Sequence, residues 1–273
     1  MNKSYILFLF VFISFSIIYS QEVTFYGKAE PGAIVIGKAN QIESVTLDKE
    51  KLQVAENGVF VFGFDRDANG THILDVTFKN GKTESKKFDL PKRKYIIQKL
   101  KVKEKYVQPP KEDLERIEKE ADEMKAARAK VGKIDSALFS VGFEPPLDKM
   151  RQTSKFGSQR ILNGVPKSPH NGIDLGANNG TPVHAISDGV VIIAGHNFYY
   201  NGNFVLIDHG QGLTSVYLHF SKLFVKTGDR VKKGQKIGEV GSTGRSTGHH
   251  LHLGMQWYGK RIDPMSALDM KFP

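Results

Sequence analysis

Short apolar runs separated by glycine turn signals fill the chain from residue 136 to residue 273, and helical periodicity is nearly absent there. The runs at 190–194, 204–207 and 213–220 have the length of β-strands, and a turn pair such as Asp188-Gly189 precedes them. The segment 228–238 predicts two further short strands that pair with each other. This pattern indicates a compact antiparallel β domain over residues 136–273.

The preceding part of the chain predicts a second β domain and a helix. Residues 21–105 contain apolar runs at 23–27, 33–37, 58–64 and 72–78, with Asn69-Gly70 and Asn80-Gly81 as turn signals, which favours a small immunoglobulin-like sandwich. Residues 106–135 are highly charged, and a narrow apolar stripe at helical spacing runs from Leu114 to Met124. We therefore expect a mainly β protein in which a solvated connecting helix joins two β domains. The first domain carries no evident chemistry. Its expected role is positioning or the binding of an envelope partner, and a plain spacer is the alternative.

The first twenty residues have the pattern of an export signal. Lys3 precedes an apolar run over residues 5–19, and Ser20-Gln21 follows as a cleavage point. The run is shorter than the roughly 20 residues that a membrane span needs, so we expect cleavage and no stable transmembrane anchor. The chain contains no cysteine, which excludes disulfides.

A positive net charge narrows the class of partner. The formal charge is +10, and removal of Lys3 with the signal leaves 10 − 1 = +9. An exported basic protein is expected to meet an anionic partner such as a cell envelope. The basic residues are scattered, without a helix-turn-helix or aromatic-basic signature, so no nucleic-acid partner is predicted.

Two separated motifs offer ligands for one metal ion. His170 and Asp174 are four residues apart, and a straight strand would place their Cα atoms about 13 Å from each other. The chain must therefore bend between them, and Asn171-Gly172 is suited to this because both residues tolerate positive φ. We expect Asp174 to open a strand and His170 to lie on the preceding loop.

The second motif is a histidine pair at strand spacing. His250 and His252 should face the same way, about 6.6 Å apart, so that one could ligate an ion while the other points at the bound water. His219 ends the run 215–219, and alternation predicts that it shares a face with Tyr217 and Ser215. Two imidazoles and one carboxylate leave a fourth position open, which is typical of catalytic zinc. The isolated histidines are interpreted as structural or surface residues; they are His72, His184, His196 and His209.

These motifs resemble those of the lysostaphin-type (M23) zinc metallopeptidases. The resemblance is carried, over about residues 151–264, by His170-x-x-x-Asp174, residues 207–210, 216–219 and 231–238, and the run 241–252. It implies a β barrel-sandwich hybrid fold with duplicated hairpin motifs. It also implies one Zn²⁺ per chain bound by His170, Asp174 and His252, with His219 and His250 as catalytic histidines. His249 stands where the family often has proline, and it should point away from the ion.

The resemblance implies hydrolysis of peptide bonds in bacterial peptidoglycan by a zinc-activated water. Four polar residues are predicted to contact the substrate: Arg160, Asn163, Asn203 and Arg245. The expected location is the periplasm or cell envelope, with secretion as the alternative. The main alternative is a catalytically inactive M23-like protein that binds peptidoglycan or activates another hydrolase. A carrier domain and a surface adhesin with a vestigial peptidase are the rivals from other classes.

Overall fold

A computed structural model describes residues 22–272 of the chain. The predicted export signal at residues 1–20 lies outside the described residues. Within residues 22–272, no helix is both long enough and apolar enough to cross a membrane.

The N-terminal part consists of two small antiparallel sheets around a shared core. Its strands are β1 (Thr24–Tyr26), β2 (Ile34–Lys38), β3 (Ile42–Leu47), β4 (Glu50–Lys51), β5 (Val59–Gly63), β6 (Gly70–Phe78) and β7 (Thr83–Leu90). One sheet has the order β1-β2-β5 and the other has the order β4-β3-β6-β7. In β6 the buried residues Leu74, Val76 and Phe78 alternate with more exposed ones, so this strand covers the core with one face. The predicted β domain is present, and its immunoglobulin-like topology stays a prediction.

A connecting segment follows, with β8 (Ile97–Leu100), a short 3₁₀ helix (Glu104–Tyr106) and α1 (Lys111–Arg128). A second 3₁₀ helix (Leu138–Val141) then leads into the C-terminal part. The strands of that part are β9 (Gln152–Ser154), β10 (Gln159–Leu162), β11 (Val165–Pro166), β12 (Gly172–Gly176), β13 (Pro182–His184), β14 (Gly189–Phe198), β15 (Gly202–Asp208), β16 (Leu213–Leu223), β17 (Arg230–Val231), β18 (Lys236–Val240), β19 (His250–Trp257) and β20 (Lys260–Ile262). The helix α2 (Pro264–Leu268) follows, capped by the Asp263 side chain, which accepts a hydrogen bond from the backbone N–H of Met265.

Most of these C-terminal strands belong to one ten-stranded antiparallel sheet. Its main path is β17-β14-β15-β16-β19-β12-β9, while β13, β18 and β20 pair beside that path. The expectation that the two strands of segment 228–238 pair with each other is wrong. β17 pairs with β14, and β18 pairs with β13 and β16, because the chain between them crosses from one part of the sheet to another.

The N-terminal and C-terminal parts share one hydrophobic core. Gln211 is 1% exposed, and its amide donates to the carbonyls of Val59 (3.0 Å) and Asp135 (3.1 Å) and accepts from the N–H of Val61 (3.1 Å). A Cβ added at Gly63 would lie 2.9 Å from Ile262 Cδ1, so the two parts approach closely at this point. The N-terminal strands therefore rest on the back of the C-terminal sheet.

The connecting segment is attached to the C-terminal part and is not a free linker. β8 pairs in parallel with β10, which extends the C-terminal structure with residues that the sequence assigned to the first domain. Near the end of α1, Met124 and Ala127 pack into a small apolar cluster with Phe198 and Phe204, whereas Leu114 is 50% exposed. The prediction of a solvated connecting helix is thus wrong for the last turns of α1, because the end of its apolar stripe is covered by β14 and β15.

Candidate active site

Two neighbouring strands bring a carboxylate and an imidazole together. In the antiparallel pair β12–β19, Asp174 lies directly opposite His252. The residues that flank them on these strands, Ile173, Leu251 and Leu253, are fully buried in the core. Since side chains alternate along a strand, Asp174 and His252 must point to the other face. His252 Nδ1 lies 2.8 Å from Asp174 Oδ1.

His170 completes a triangle of ligand atoms from the loop before β12. Its Nε2 lies 3.0 Å from Asp174 Oδ1 and 3.0 Å from His252 Nδ1. The loop is fixed by its backbone, because the N–H of His170 donates to Ser158 O (2.9 Å) and its carbonyl accepts from Gly157 N (2.8 Å). His170 therefore lies on the loop as predicted, and Asp174 is the third residue of the strand rather than its first.

The bend between His170 and Asp174 has a different origin from the one expected. Neither Asn171 nor Gly172 has a positive φ. Gly172 is instead pressed against β19, where an added Cβ would lie 2.2 Å from Leu253 O and 2.9 Å from His252 Nε2. The position requires the absence of a side chain, and left-handed backbone geometry is not involved.

The donor set fits a zinc ion. Two imidazole nitrogens and one carboxylate oxygen are a common ligand set for catalytic zinc, and with ligand distances of about 2.0–2.1 Å a tetrahedral edge measures about 3.3 Å. The three edges here are 2.8, 3.0 and 3.0 Å, so a small outward movement of the side chains would accommodate the ion. In the part of the chain that the structure describes, these three side chains are the histidine and acidic residues whose ligand atoms lie close enough together to hold one metal ion.

Hydrogen bonds to carbonyl oxygens orient the imidazoles. His170 Nδ1 lies 3.1 Å from Lys155 O and 2.9 Å from Ser154 Oγ, so its proton is held there and its Nε2 lone pair faces the other ligands. His219 Nδ1 lies 2.8 Å from Thr243 O, and His250 Nδ1 lies 2.8 Å from Gly248 O. The Nε2 atoms of His219 and His250 are therefore unprotonated in the neutral rings and are available as proton acceptors.

His219 reaches this site through an unusual backbone conformation. Its φ is +70°, and the register between β15 and β16 shifts in this region. The prediction that His219 shares a face with Tyr217 and Ser215 is wrong, because the left-handed residue breaks the alternation. Tyr217 lies in the core, where its hydroxyl accepts from Ile186 N (2.9 Å), while the His219 ring lies 4.8 Å from that of His250.

His250 lies beside the ligand triangle, as the strand period predicts. It shares a face with His252, and its Nε2 lies 3.8 Å from Asp174 Oδ1. His249 is exposed on the wall of a neighbouring cavity. The structure thus brings together the five predicted metal-binding and catalytic side chains: His170, Asp174, His219, His250 and His252.

Burial and hydrogen bonding set the charge states in this cluster. Burial alone would raise the pKa of Asp174, but hydrogen bonds with His170 and His252 hold this pKa far below its usual range. Burial lowers the pKa of His252 to about 4, and burial together with the nearby His250 and His252 lowers the pKa of His219 to about 3. At neutral pH the carboxylate is therefore charged and these two imidazoles are neutral, as metal binding and proton acceptance require.

The ligand triangle lies between two cavities. The larger, of about 870 Å³, is bordered by Asp174 and His250. The smaller, of about 300 Å³, is bordered by His170, His219 and His252. Residues of the connecting segment contribute to both walls: Gln98 and Leu100 to the larger cavity, and Met124 and Arg128 to the smaller one.

The four predicted substrate contacts fall into two groups. Arg160 and Arg245 border the smaller cavity, and Arg160 Nη2 donates to Asp174 Oδ2 at 3.1 Å. Asn163 and Asn203 border neither cavity. The Asn163 amide binds the backbone of Val102 (2.9 Å to both N and O), so it secures the connecting segment.

The amide of Asn203 is used within the sheet. Its Oδ1 accepts from Asn197 N (2.8 Å), and its Nδ2 donates to Phe220 O (3.0 Å). The sequence reasoning also missed Ser154 and the three orienting carbonyls. Every residue has a backbone carbonyl, so residue identity cannot indicate which ones orient the imidazoles, and Ser154 belongs to no motif.

Comparison with known proteins agrees with this geometry. Residues 168–264 match peptidase family M23. The match identifies an M23 peptidase domain within the chain. The matched range contains the whole ligand triangle together with His219 and His250 and confirms the resemblance inferred from the motifs.

Relatives and solved structures extend the comparison. The peptidoglycan DD-endopeptidase ShyA of Vibrio cholerae is 45% identical over 125 residues, which are 45% of this chain and 29% of that protein. ShyC of the same organism, also a peptidoglycan DD-endopeptidase, is 47% identical over 109 residues, or 39% of this chain and 25% of that protein. The chain thus spans less than a third of the length of these curated relatives.

A crystal structure of a putative M23 peptidase from Pseudomonas aeruginosa is similar over most of the chain. Its TM-score is 0.63 at 28% sequence identity, and the similarity covers 88% of this chain and 95% of that one. The likeness therefore extends well beyond residues 168–264 into the N-terminal β structure.

Proposed function

We propose that this chain is an exported zinc metalloendopeptidase that hydrolyses peptide bonds in bacterial peptidoglycan. The observation that carries the proposal is the convergence of His170 Nε2, Asp174 Oδ1 and His252 Nδ1 within 3.0 Å of one another, with the rings of His219 and His250 beside them. The names of the relatives ShyA and ShyC supply the substrate class. The presence of all five side chains favours an active enzyme over an inactive binding protein.

Each residue has a role that follows from its position. His170, Asp174 and His252 would hold the metal, and a zinc ion in such a site supplies a water of lowered pKa and polarises the scissile carbonyl. The Nε2 atoms of His219 and His250 accept the proton of the attacking water and return one to the leaving amine. Lys155 O, Thr243 O and Gly248 O keep the three imidazoles in the tautomers that this division of roles needs.

The cellular setting belongs to the same proposal. The signal pattern of residues 1–20 supports export to the periplasm or cell envelope, where peptidoglycan is found. The N-terminal β structure is joined to the C-terminal part through Gln211 and the shared core. It is therefore suited to hold an envelope partner at a fixed distance from the site.

The proposal is tested by digesting purified peptidoglycan with the mature chain and identifying the released fragments by mass spectrometry. Cleavage should stop when zinc is chelated and return when zinc is added. His252→Ala should lose stoichiometric zinc and all activity. His250→Ala should keep zinc and lower kcat by about 10²–10⁴-fold, since it removes a proton acceptor.

The matched control is His196→Ala, because His196 is exposed and lies outside the cluster. It should retain wild-type zinc content and activity. Zinc-loaded wild-type protein that releases no peptide fragment would refute the function. Loss of zinc from His250→Ala would refute the ligand assignment.

A further inference from the structure

The smaller cavity beside the ligand triangle is strongly cationic. Its wall contains Arg128, Arg160, Lys167 and Arg245, and no aspartate or glutamate is among its described lining residues. The larger cavity on the other side has a mixed wall, with Asp148 and Asp174 as well as Lys149 and Arg151. The charge of the groove therefore differs between the two sides of the candidate metal centre.

Two of the four cations are already engaged by neutral groups of the protein. Lys167 Nζ donates to Val107 O at 3.0 Å, and Arg128 Nη1 donates to the side chain of Gln256. These contacts hold the connecting segment against the C-terminal part. The remaining two cations of the cavity wall are Arg160 and Arg245.

Arg160 and Arg245 lack sufficient partners for their charge. Arg160 uses Nη2 on Asp174, but its Nε is buried without a hydrogen-bond partner among residues 22–272. The Arg245 guanidinium lies over the ring of Tyr200, 4.7 Å from its centroid, and makes no salt bridge with any described residue. Burial lowers the pKa of Arg245, so its charge is partly removed from water without an anionic partner among residues 22–272.

We propose that the smaller cavity is a subsite for a carboxylate of the substrate peptide, held by Arg245 with Arg160 Nε as a second donor. A guanidinium matches a carboxylate in shape and can bind it through two hydrogen bonds, and stacking on Tyr200 holds the Arg245 plane in place. The inference rests on the proposed function, since it assumes a peptide substrate in the groove. An acidic group on one side of the scissile bond would fix the direction in which the peptide crosses the ligand triangle.

The test uses synthetic cross-linked peptides in which each carboxylate is converted singly to an amide. These single conversions distinguish a chain-terminal carboxylate from a side-chain carboxylate. With zinc-loaded wild-type protein, one conversion should raise KM by about tenfold or more, because a charge-assisted hydrogen bond is lost, while kcat changes little. The other conversions should leave KM unchanged.

Variants then assign the effect to Arg245. In Arg245→Gln, the KM values of the charged peptide and of its discriminating amide should become equal. Arg245→Lys keeps the charge without the planar pair of donors and should restore part of the discrimination. Arg230→Gln removes one exposed positive charge that is not part of the cavity wall, and it should discriminate as the wild type does. The ratio of the two KM values within one variant does not depend on the fraction of folded enzyme.

Two results would overturn the inference and leave the proposed function intact. In the first, wild-type protein cleaves all the peptides with the same KM. In the second, Arg245→Gln retains the full KM ratio between charged and amidated peptide. If zinc-loaded wild-type protein cleaves none of the peptides and no peptidoglycan, the proposed function is refuted, and the proposed carboxylate subsite is refuted as well.

Discussion

Replacing Gly172 with alanine should damage the candidate metal centre without replacing any of its ligands. Gly172 lies opposite Gly254 in the pair β12–β19, two residues before the Asp174–His252 pair. A Cβ at this position would lie 2.2 Å from Leu253 O, a backbone atom, whereas ordinary contacts begin at 3.4 Å. Relief requires a movement of 3.4 − 2.2 = 1.2 Å between the two strands, and no flexible side chain is available to absorb it.

A movement of this size is large for a metal site. The ligand atoms of Asp174 and His252 are 2.8 Å apart, and metal–ligand distances tolerate only about ±0.2 Å. We therefore expect the zinc affinity of Gly172→Ala to fall by at least about tenfold, as when the groups that orient ligands are removed. The steric overlap should also destabilise the fold by about 1–3 kcal/mol. For a chain of this size the unfolding temperature should then fall by about 2–12 °C.

The measurement is a zinc titration against a chelating dye, combined with thermal unfolding with and without zinc. Gly248→Ala is the matched control, because a Cβ at Gly248 meets nothing within 4 Å and Gly248 has no positive φ. It should bind zinc and unfold as the wild type does. If Gly172→Ala binds zinc within about twofold of the wild type and unfolds at the same temperature, close strand contact does not set the ligand geometry.

Three further changes probe the site and its support. Burial lowers the pKa of His209 from 6.5 to about 4, so the folded state binds fewer protons at His209 than the unfolded state does. Burial raises the pKa of Asp208 from 3.8 to about 6, so the folded state binds more protons at Asp208 than the unfolded state does. Asp208→Asn removes the stabilisation that the wild type gains when Asp208 is protonated, so its unfolding free energy relative to wild type should fall by about 2 kcal/mol as pH drops from 6.5 to 4; a pH-independent difference in urea unfolding would contradict this. Gln211→Ala should lower the free energy of unfolding in urea by about 3 kcal/mol, because three buried backbone groups lose their hydrogen-bond partner. A decrease below about 1 kcal/mol would argue against a stabilising role for Gln211 between the two parts of the protein. Ser154→Ala should weaken zinc binding by less than about tenfold, since His170 Nδ1 retains Lys155 O, and complete loss of zinc would show that Ser154 is the essential orienting group.

Strand alternation predicted from the sequence that His250 and His252 face the same way, whereas the full ligand set was implied by the family resemblance. His250 and His252 are two residues apart, and Leu251 between them is fully buried, so both imidazoles must face the groove. Spacing also indicated that the chain must turn between His170 and Asp174. Both inferences depend on local geometry alone, which the identity of neighbouring residues largely determines.

The orientation of His219 could not be predicted in this way. Its φ of +70° is unusual for a residue other than glycine, and no residue in the run 215–219 indicates this conformation. The conformation is held by contacts from distant parts of the chain, since His219 N donates to Asn201 O (3.1 Å) and its Nδ1 to Thr243 O (2.8 Å). Alternation applied to such a residue gives the wrong face.

The pairing partners of the strands could not be predicted from local sequence patterns either. The segments β17 and β18 were correctly placed as short strands, but each pairs with strands far away in the sequence. β8 is a further case. Its first residue Ile97 and the preceding Ile96 are exposed and gave no apolar alternation, and the strand is held by parallel pairing with β10. Such pairings depend on the whole sheet and cannot be derived from one segment.

The connecting segment illustrates why a domain boundary read from sequence differs from the boundary of a site. Gln98 borders the larger cavity, and its side chain lies 3.2 Å from Ser154 Oγ, which in turn contacts His170. At the other end, Arg128 borders the smaller cavity and is bound to Gln256 of β19. Charge and helical spacing marked residues 106–135 as a spacer, because those features describe how a segment meets solvent, and Gln98 was assigned to the first domain. Its contacts with Ser154 and Gln256 make it part of the walls of the groove, so the shape of the site depends on residues outside the matched range 168–264.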